Sequence, residues 1–147
     1  MISIPPLHTT RFRLGYADTD PAGILYYATW FPWIERLQSE WFFLNGWRQD
    51  ELLDRHGFGT VTRRTTCDYL IAVGLFDEIS IEMRLDRVGE RSFTFVHDLL
   101  RVGMDEPDQL VARATITLVT VGRDGAAIPI PDPLRDQLRS WASDSHG

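Results

Sequence analysis

The stretch from Ile24 to Leu44 constrains this chain more than any other. Trp30, Trp33, Ile34, Leu37, Trp41 and Leu44 recur at the i, i+3, i+4, i+7 spacing of one helix face. Asn45-Gly46 is a C-terminal stop, because both residue types tolerate the left-handed conformation that ends helices. Pro32 has no N–H for an intrahelical bond and fits only within the first turn or so. The regular helix is therefore expected to begin near Thr29, a usable N-cap. A helix carrying Trp30, Trp33 and Trp41 needs apolar neighbours over most of its surface. It is expected inside a curved sheet rather than on the outside of the molecule.

The flanking sequence supplies such a sheet. From Thr10 the chain alternates, with Thr10, Phe12, Leu14 and Tyr16 on one side and Arg11, Arg13 and Gly15 on the other, as in a half-buried strand. The alternation breaks at Asp18-Thr19-Asp20-Pro21-Ala22-Gly23, a cluster of turn formers. After a short helix or loop over Trp47–Gly57 come four strand-like segments, at about Thr60–Tyr69, Glu78–Arg87, Arg91–Val102 and Leu110–Val121. Ile79, Ile81, Met83 and Leu85 share one face of the second; Leu110, Ala112, Ala114, Ile116 and Leu118 share one face of the fourth. The turns at Val88-Gly89-Glu90, Gly103 to Asp108 and Gly122 to Gly125 are too short for parallel crossovers, so an antiparallel meander is expected. Asp132-Pro133 opens a short helix whose Leu134, Leu138 and Trp141 share a face, and the tail Ser143–Gly147 is expected to fray. Residues 1–8, with Pro5 and Pro6, read as a leader arm. The expectation is an α+β chain, a single domain over 1–147, with an antiparallel β-sheet wrapped round one long central helix.

Composition removes several kinds of chemistry. The 15 basic residues are all Arg, against 21 acidic residues, for a net charge of −6. Without Lys there is no Schiff base and no P-loop lysine. An acidic chain is also poorly suited to neutralising nucleic-acid phosphates, so no nucleic-acid partner is expected. The single cysteine, Cys67, excludes an internal disulfide and a Cys-rich zinc site. His8, His56, His97 and His146 lack metal-ligand spacing, so neither a metal nor a cofactor is expected. No apolar run approaches ~18 residues and the N-terminus lacks a basic start with an apolar core. No membrane span is expected, and the compartment expected is the cytoplasm.

Three acidic residues stand out: Asp18, Asp20 and Glu35. An isolated Asp in such a turn is ordinarily a turn former or a cap. A D-x-D pair also occurs in phosphotransferase and magnesium loops, but those follow an apolar parallel strand in α/β chains, a layout missing here. The longer stretch YADTDPAGILYYATWFPWIERLQSEWFFLNG strongly resembles the 4-hydroxybenzoyl-CoA thioesterase family, whose members have the hotdog fold. Trp47-Arg48-Gln49, Gly59-Thr60, Phe76-Asp77-Glu78 and Arg91-Ser92-Phe93 continue the likeness, which covers roughly residues 10–121.

The resemblance implies an acyl-CoA thioesterase with Asp20 as the catalytic carboxylate, either nucleophile or general base. That role suits the chemistry, since thioester hydrolysis needs a nucleophile or a base that activates water, and donors for the oxyanion. The resemblance also gives the main-chain N–H of Tyr27 the task of polarising the thioester carbonyl. Tyr26-Tyr27-Ala28 leads into the helix, whose first N–H groups lack intrahelical partners and whose dipole favours negative charge. Gly23 would let an acyl group approach the backbone. Asp18 reads as a structural partner of the loop. Glu35 and Thr60 read alone as a surface or subunit-contact residue and an ordinary strand residue; the resemblance puts Glu35 near the acyl pocket of the neighbouring subunit and Thr60 near the substrate. Trp30 and Trp33 read as core. Three CoA phosphates call for local positive charge, for which Arg63, Arg64, Arg87 and Arg91 are candidates. Arg91 carries the family match, whereas Gly89 and Glu90 stand where the family has further basic residues.

The motif ADTDPAG is close to that of thioesterases acting on aromatic acyl groups, while relatives with similar loops take short or medium aliphatic ones. The expected substrate is therefore an aromatic or short-chain acyl-CoA. The resemblance further implies a homodimer or homotetramer with active sites at the dimer interface. Two rivals stand beside this reading: release of an acyl chain from a carrier protein in polyketide or fatty-acid synthesis, and a non-catalytic acyl-CoA-binding module.

Overall fold

The computed structural model describes residues 5–25 and 27–144. The elements are β1 (His8–Arg13), α1 (Trp30–Leu44), α2 (Leu52–His56), β2 (Gly59–Tyr69), β3 (Glu78–Val88), β4 (Ser92–Arg101), β5 (Gln109–Val121) and α3 (Asp132–Asp144), with a 3-10 turn at Tyr16–Asp18. Helix α3 includes Ser143 and Asp144, which the sequence assigned to a frayed tail; the rest of that tail, Tyr26 and the start of the leader arm lie outside the described residues.

The five strands form one sheet in the order β1-β3-β4-β5-β2, with every pairing antiparallel. The sheet class is as expected, but the simple meander is not. β2 passes over β3 and β4 and pairs with β5 at the far edge. β2 and β3 stand three strand spacings apart, about 14 Å. The eight-residue connection 70–77 spans that gap easily in extended form. Alternation inside a strand states which face is buried and says nothing about which neighbour it pairs with.

α1 lies across the concave face. Trp30, Ile34, Leu37, Gln38, Trp41 and Phe42 are its buried residues. Trp41 meets Phe95 edge-on at 5.1 Å and Trp141 of α3 at 4.3 Å, while Phe42 packs on Phe93 at 6.3 Å. Phe12 of β1 stacks flat on Trp33 at 3.7 Å. Phe93, Phe95, His97 and Leu99 alternate inward along β4 and are fully buried. Truncating an aromatic of this layer would cost about 3–5 kcal/mol through lost contacts and a residual cavity. Phe43 and Leu44, by contrast, remain 59% and 63% exposed, so the buried face ends at Phe42, two residues before the expected Leu44. Among the described residues no helix is long and apolar enough to cross a membrane.

Candidate active site

β1 delivers the chain to the D-x-D loop. Leu14 is fully buried and its N–H donates to the Asp77 carbonyl at 2.9 Å. The chain then bends through the 3-10 turn, which throws Tyr16 outward instead of continuing the alternation. Asp18 closes this turn: its Oδ2 accepts from the Gly15 N–H at 2.9 Å and its Oδ1 from the Trp33 indole at 3.4 Å. Its carbonyl accepts from the Thr29 hydroxyl at 3.2 Å. Asp18 thus ties the loop to the first turns of α1, the structural role expected of it. Thr29 stands at the N-cap position, but its side chain bonds this loop instead of a helix N–H.

Asp20 is half-buried. Its Oδ1 accepts from the Ala22 N–H at 2.8 Å, an Asx-type turn, and Oδ2 has no hydrogen-bond partner among the described residues. Its backbone is held from both sides, with Asp20 N–H donating to Ile24 and Gly23 N–H donating to Asp20, each at 2.9 Å. Gly23 has φ +80, a conformation that L side chains avoid. The sequence argument for Gly23 was access; the backbone adds a conformational requirement. The 70–77 connection clamps the loop from outside through the Ile24–Gly74 bridge and a 2.8 Å bond from Leu25 N–H to Val73. A Cβ on Gly74 would lie 3.0 Å from the Gly23 carbonyl, so the two backbones need Gly74 to approach this closely.

Tyr27 lies in the turn that precedes α1, three residues before the first helical residue, Trp30. The missing N–H of Pro32 falls within the first helical turn, where N–H groups have no intrahelical partner in any case. The Tyr27 ring is exposed, and its carbonyl accepts a hydrogen bond from the Tyr69 phenol at the end of β2. Burial first, then the neighbouring Cys67 thiol, pushes the Tyr69 pKa up to about 12, so Tyr69 stays a neutral donor. No local pattern announces Tyr69, which is 42 residues from its partner.

Glu35 is exposed on α1, and its Oε1 accepts from the Ser39 hydroxyl at 2.5 Å. It borders a cavity of about 150 Å³ whose other walls are Phe31, Ile34, Gln38, Thr62, Thr65 and Ile116. Thr60 is not among these walls. It opens β2 opposite Thr120, whose N–H and hydroxyl both bond the Arg91 carbonyl, at 3.0 and 3.3 Å. Thr60 and Arg91 therefore belong to one end of the sheet. Arg87 reaches over the same β3–β4 turn, with a guanidinium nitrogen 3.8 Å from where a Gly89 Cβ would stand. Arg135 of α3, which the sequence reading missed, donates to the Glu90 carbonyl there at 2.5 Å. Arg63 and Arg64 lie further along β2, at a break in its register, and do not join this group.

Apart from Glu35, Arg63 and Arg64, the predicted residues fall into two clusters. Asp18, Asp20, Gly23 and Tyr27, with Tyr69 beside them, gather near the start of β3. Arg91, Arg87, Arg135 and Thr60 gather at its other end. β3 has 11 residues, so the clusters stand about 30 Å apart within one chain. A larger groove of about 1090 Å³ lies between Arg13, Phe76, Arg101 and Met104 and holds none of the predicted residues. Among the described residues no three His, Cys, Asp or Glu side chains come together as a metal site.

A sequence model described as the thioesterase-like superfamily matches residues 14–138. Over 109 residues the chain is 26% identical to the acyl-CoA thioesterase YbgC of Haemophilus influenzae, covering 74% of this chain and 76% of that one. Over 129 residues it is 27% identical to the 4-hydroxybenzoyl-CoA thioesterase of Pseudomonas sp. strain CBS-3, covering 84% and 91%. The solved structure of the 4-hydroxybenzoyl-CoA thioesterase from that strain superimposes with a TM-score of 0.75 at 26% identity, over 87% of this chain and 96% of that one. The sheet curled round α1 is the hotdog fold.

Proposed function

This chain belongs to the thioesterase-like superfamily and is an acyl-CoA thioester hydrolase; from that premise we propose that its acyl group is aromatic or short and that Asp20 drives the cleavage. Either the Asp20 carboxylate attacks the thioester carbonyl carbon or it takes a proton from an attacking water. The C–S bond then breaks and the CoA thiolate leaves. On the first route a water next hydrolyses the Asp20–acyl anhydride, restoring the carboxylate and releasing the acid. On either route the proton given up by the water ends on the thiolate. The Tyr27 main-chain N–H donates to the oxyanion that forms on the carbonyl oxygen.

The observation that carries this reading is the state of Asp20. One carboxylate oxygen is pinned by the Ala22 N–H, the other has no partner among the described residues, and the loop is held from both sides. A carboxylate fixed in this way loses little orientational freedom on reaching a near-attack geometry. The cavity beside Glu35 has room for a ring-sized or short group, and one relative is named for an aroyl-CoA.

The proposal includes a second copy of the chain. CoA carries three phosphates, and the Arg87, Arg91 and Arg135 group that suits them is about 30 Å from Asp20 of the same chain. β2 is an 11-residue edge strand with Val61, Thr62, Arg63, Arg64 and Thr65 all exposed. Long unpaired edges of this kind invite pairing with another strand. Two β2 edges joined antiparallel would bring the Thr60–Arg91 end of one copy to the Asp20–Tyr69 end of the other, generating two equivalent composite sites. Further pairing of dimers into a tetramer is compatible with this arrangement.

The direct test is a panel of acyl-CoAs assayed with a thiol reagent that reports free CoA. Aromatic or short-chain thioesters should be the best substrates. Asp20→Asn should lower kcat at least about 100-fold on them while the fold is kept. Turnover of acyl-carrier-protein thioesters alone would refute the CoA assignment, and full activity in Asp20→Asn would refute the mechanism.

A further inference from the structure

The turn that leads into β3 is strained in a way its own packing does not explain. Gly74 to Asp77 form a four-residue turn, closed by the Asp77 N–H donating to the Gly74 carbonyl at 3.1 Å. Its third residue has a φ of +69, a place that ordinarily belongs to glycine. Here it holds Phe76, the one residue with a side chain at positive φ among the described residues. A bulky side chain in that region crowds its own backbone, and burial does not offset the cost, because the ring is 59% exposed. Strain of this kind persists where the surrounding structure enforces it, and it gathers at functional sites.

The turn grips the Asp20 loop at both flanks. On the first flank, the Phe76 ring meets the Tyr16 ring edge-on at 6.3 Å, and the Phe76 N–H donates to the Leu14 carbonyl at 3.0 Å. The Tyr16 carbonyl accepts from the Thr19 N–H and hydroxyl, at 3.2 and 3.0 Å, one residue before Asp20. On the second flank, Gly74 bridges to Ile24 and comes too close to the Gly23 carbonyl to carry a Cβ. Asp77 locks the turn between these grips. Its Oδ2 accepts from the Gly74 N–H at 2.9 Å and lies 3.7 Å from the Arg101 guanidinium. Its carbonyl accepts from the Leu14 N–H, and Arg13 donates to the Phe76 carbonyl at 2.7 Å.

On the thioesterase reading above, we propose that this turn is a brace that sets the position of the Asp20 carboxylate, with Asp77 and Phe76 as positioning residues. Neither touches the reacting atoms. Asp77 fixes Gly74, Gly74 fixes the Gly23 peptide, and the Gly23 N–H donates to the Asp20 carbonyl. Phe76 fixes the other end of the loop through Tyr16. A misplacement of about 1 Å at a reacting group costs on the order of 100-fold in rate, so a loosened brace slows turnover. The arginines that suit the CoA phosphates lie at the other end of β3, so capture of the substrate is left alone.

The test separates turnover from stability. Asp77→Ala should lower kcat about tenfold at unchanged KM on the best acyl-CoA of the panel. Asp77→Asn, whose side-chain carbonyl still accepts the Gly74 N–H, should restore most of it. Phe76→Gly removes the ring and relieves the backbone. It should hold or raise Tm and still lower kcat about fivefold, the opposite of what a residue that only stabilises the fold would do. It also decides the matter should Asp77→Ala fail to fold. Amide hydrogen exchange at Gly23 and Leu25 reads the brace without turnover; it should quicken about tenfold in Asp77→Ala and Phe76→Gly but not in Asp77→Asn. Wild-type kcat and exchange in both Asp77→Ala and Phe76→Gly, or a fall in Tm with kcat unchanged, would overturn the brace and leave the thioesterase reading standing. Quickened exchange in those two variants of a protein that hydrolyses no acyl-CoA would support the brace and refute the thioesterase reading instead.

Discussion

The two ends of the sheet are built differently. Around Asp20, backbone bonds and small residues hold a loop in one conformation: Asp18 bonds Gly15, Trp33 and Thr29, and Gly74 lets the 70–77 connection press on Gly23. Around Arg91, the main chain is anchored by Thr120 and Arg135, but the Arg91 side chain is exposed. The first end suits bond-making, which needs groups fixed within fractions of an ångström. The second suits long-range attraction of phosphates, where charge matters more than exact placement. On the proposed function, turnover belongs to one end and capture to the other, which predicts which kinetic constant each lesion will move.

The largest effect beyond Asp20 itself lies midway, at a residue belonging to neither end. His97 is fully buried in β4, and burial pushes its pKa down to about 4, opposed only in part by the Ala114 backbone and the Asp98 charge. The unfolded chain takes up this proton near pH 6.5, while the folded chain resists until near pH 4. Between those values the unfolded state binds more protons, so stability is complete above about pH 6.5 and falls as pH drops. The loss by pH 4 is on the order of 3 kcal/mol. Urea unfolding of wild type and His97→Leu between pH 7.5 and 4.5 checks it: the stability gap between them should shift in favour of the variant as pH falls. An unchanged gap would contradict the buried-neutral assignment.

Arg91→Ala comes next. It should raise KM about tenfold for an acyl-CoA, with kcat nearly constant and little change for a truncated pantetheine thioester. Equal effects on both substrates would remove Arg91 from the phosphate end. Tyr69→Phe is the smallest change. Losing its bond to the Tyr27 carbonyl should lower kcat about fivefold and leave KM alone, which steady-state kinetics resolves. A shift in KM alone would break the division between ends.

Much of this was legible in the sequence where the signal is local. The period of Trp30, Ile34, Leu37 and Trp41 located α1 and its buried face, because a 3.6-residue repeat leaves one stripe to hide. Alternation likewise located β3 and β5. The order of the strands was not legible, since nothing in the residues of β2 marks which strand it joins. Thr29 was placed correctly as a helix boundary, but its bond to Asp18 spans 11 residues and leaves no trace in the local pattern. Tyr69 and Arg135 could not have been found, because each acts on a carbonyl more than 40 residues away.

The central claim is that one site draws on two copies of the chain, and a mixed dimer tests it most directly. Co-expressed Asp20→Asn and Arg91→Ala chains, purified through different tags, form a heterodimer with one lesion on each chain. If Asp20 of one copy works with Arg91 of the other, both lesions fall in the same site and the second site is intact. The heterodimer should then show about half the wild-type kcat with the wild-type KM. If each site lies within one chain, every site carries a lesion, and the heterodimer would show half the activity with the raised KM of Arg91→Ala. That result would contradict the account.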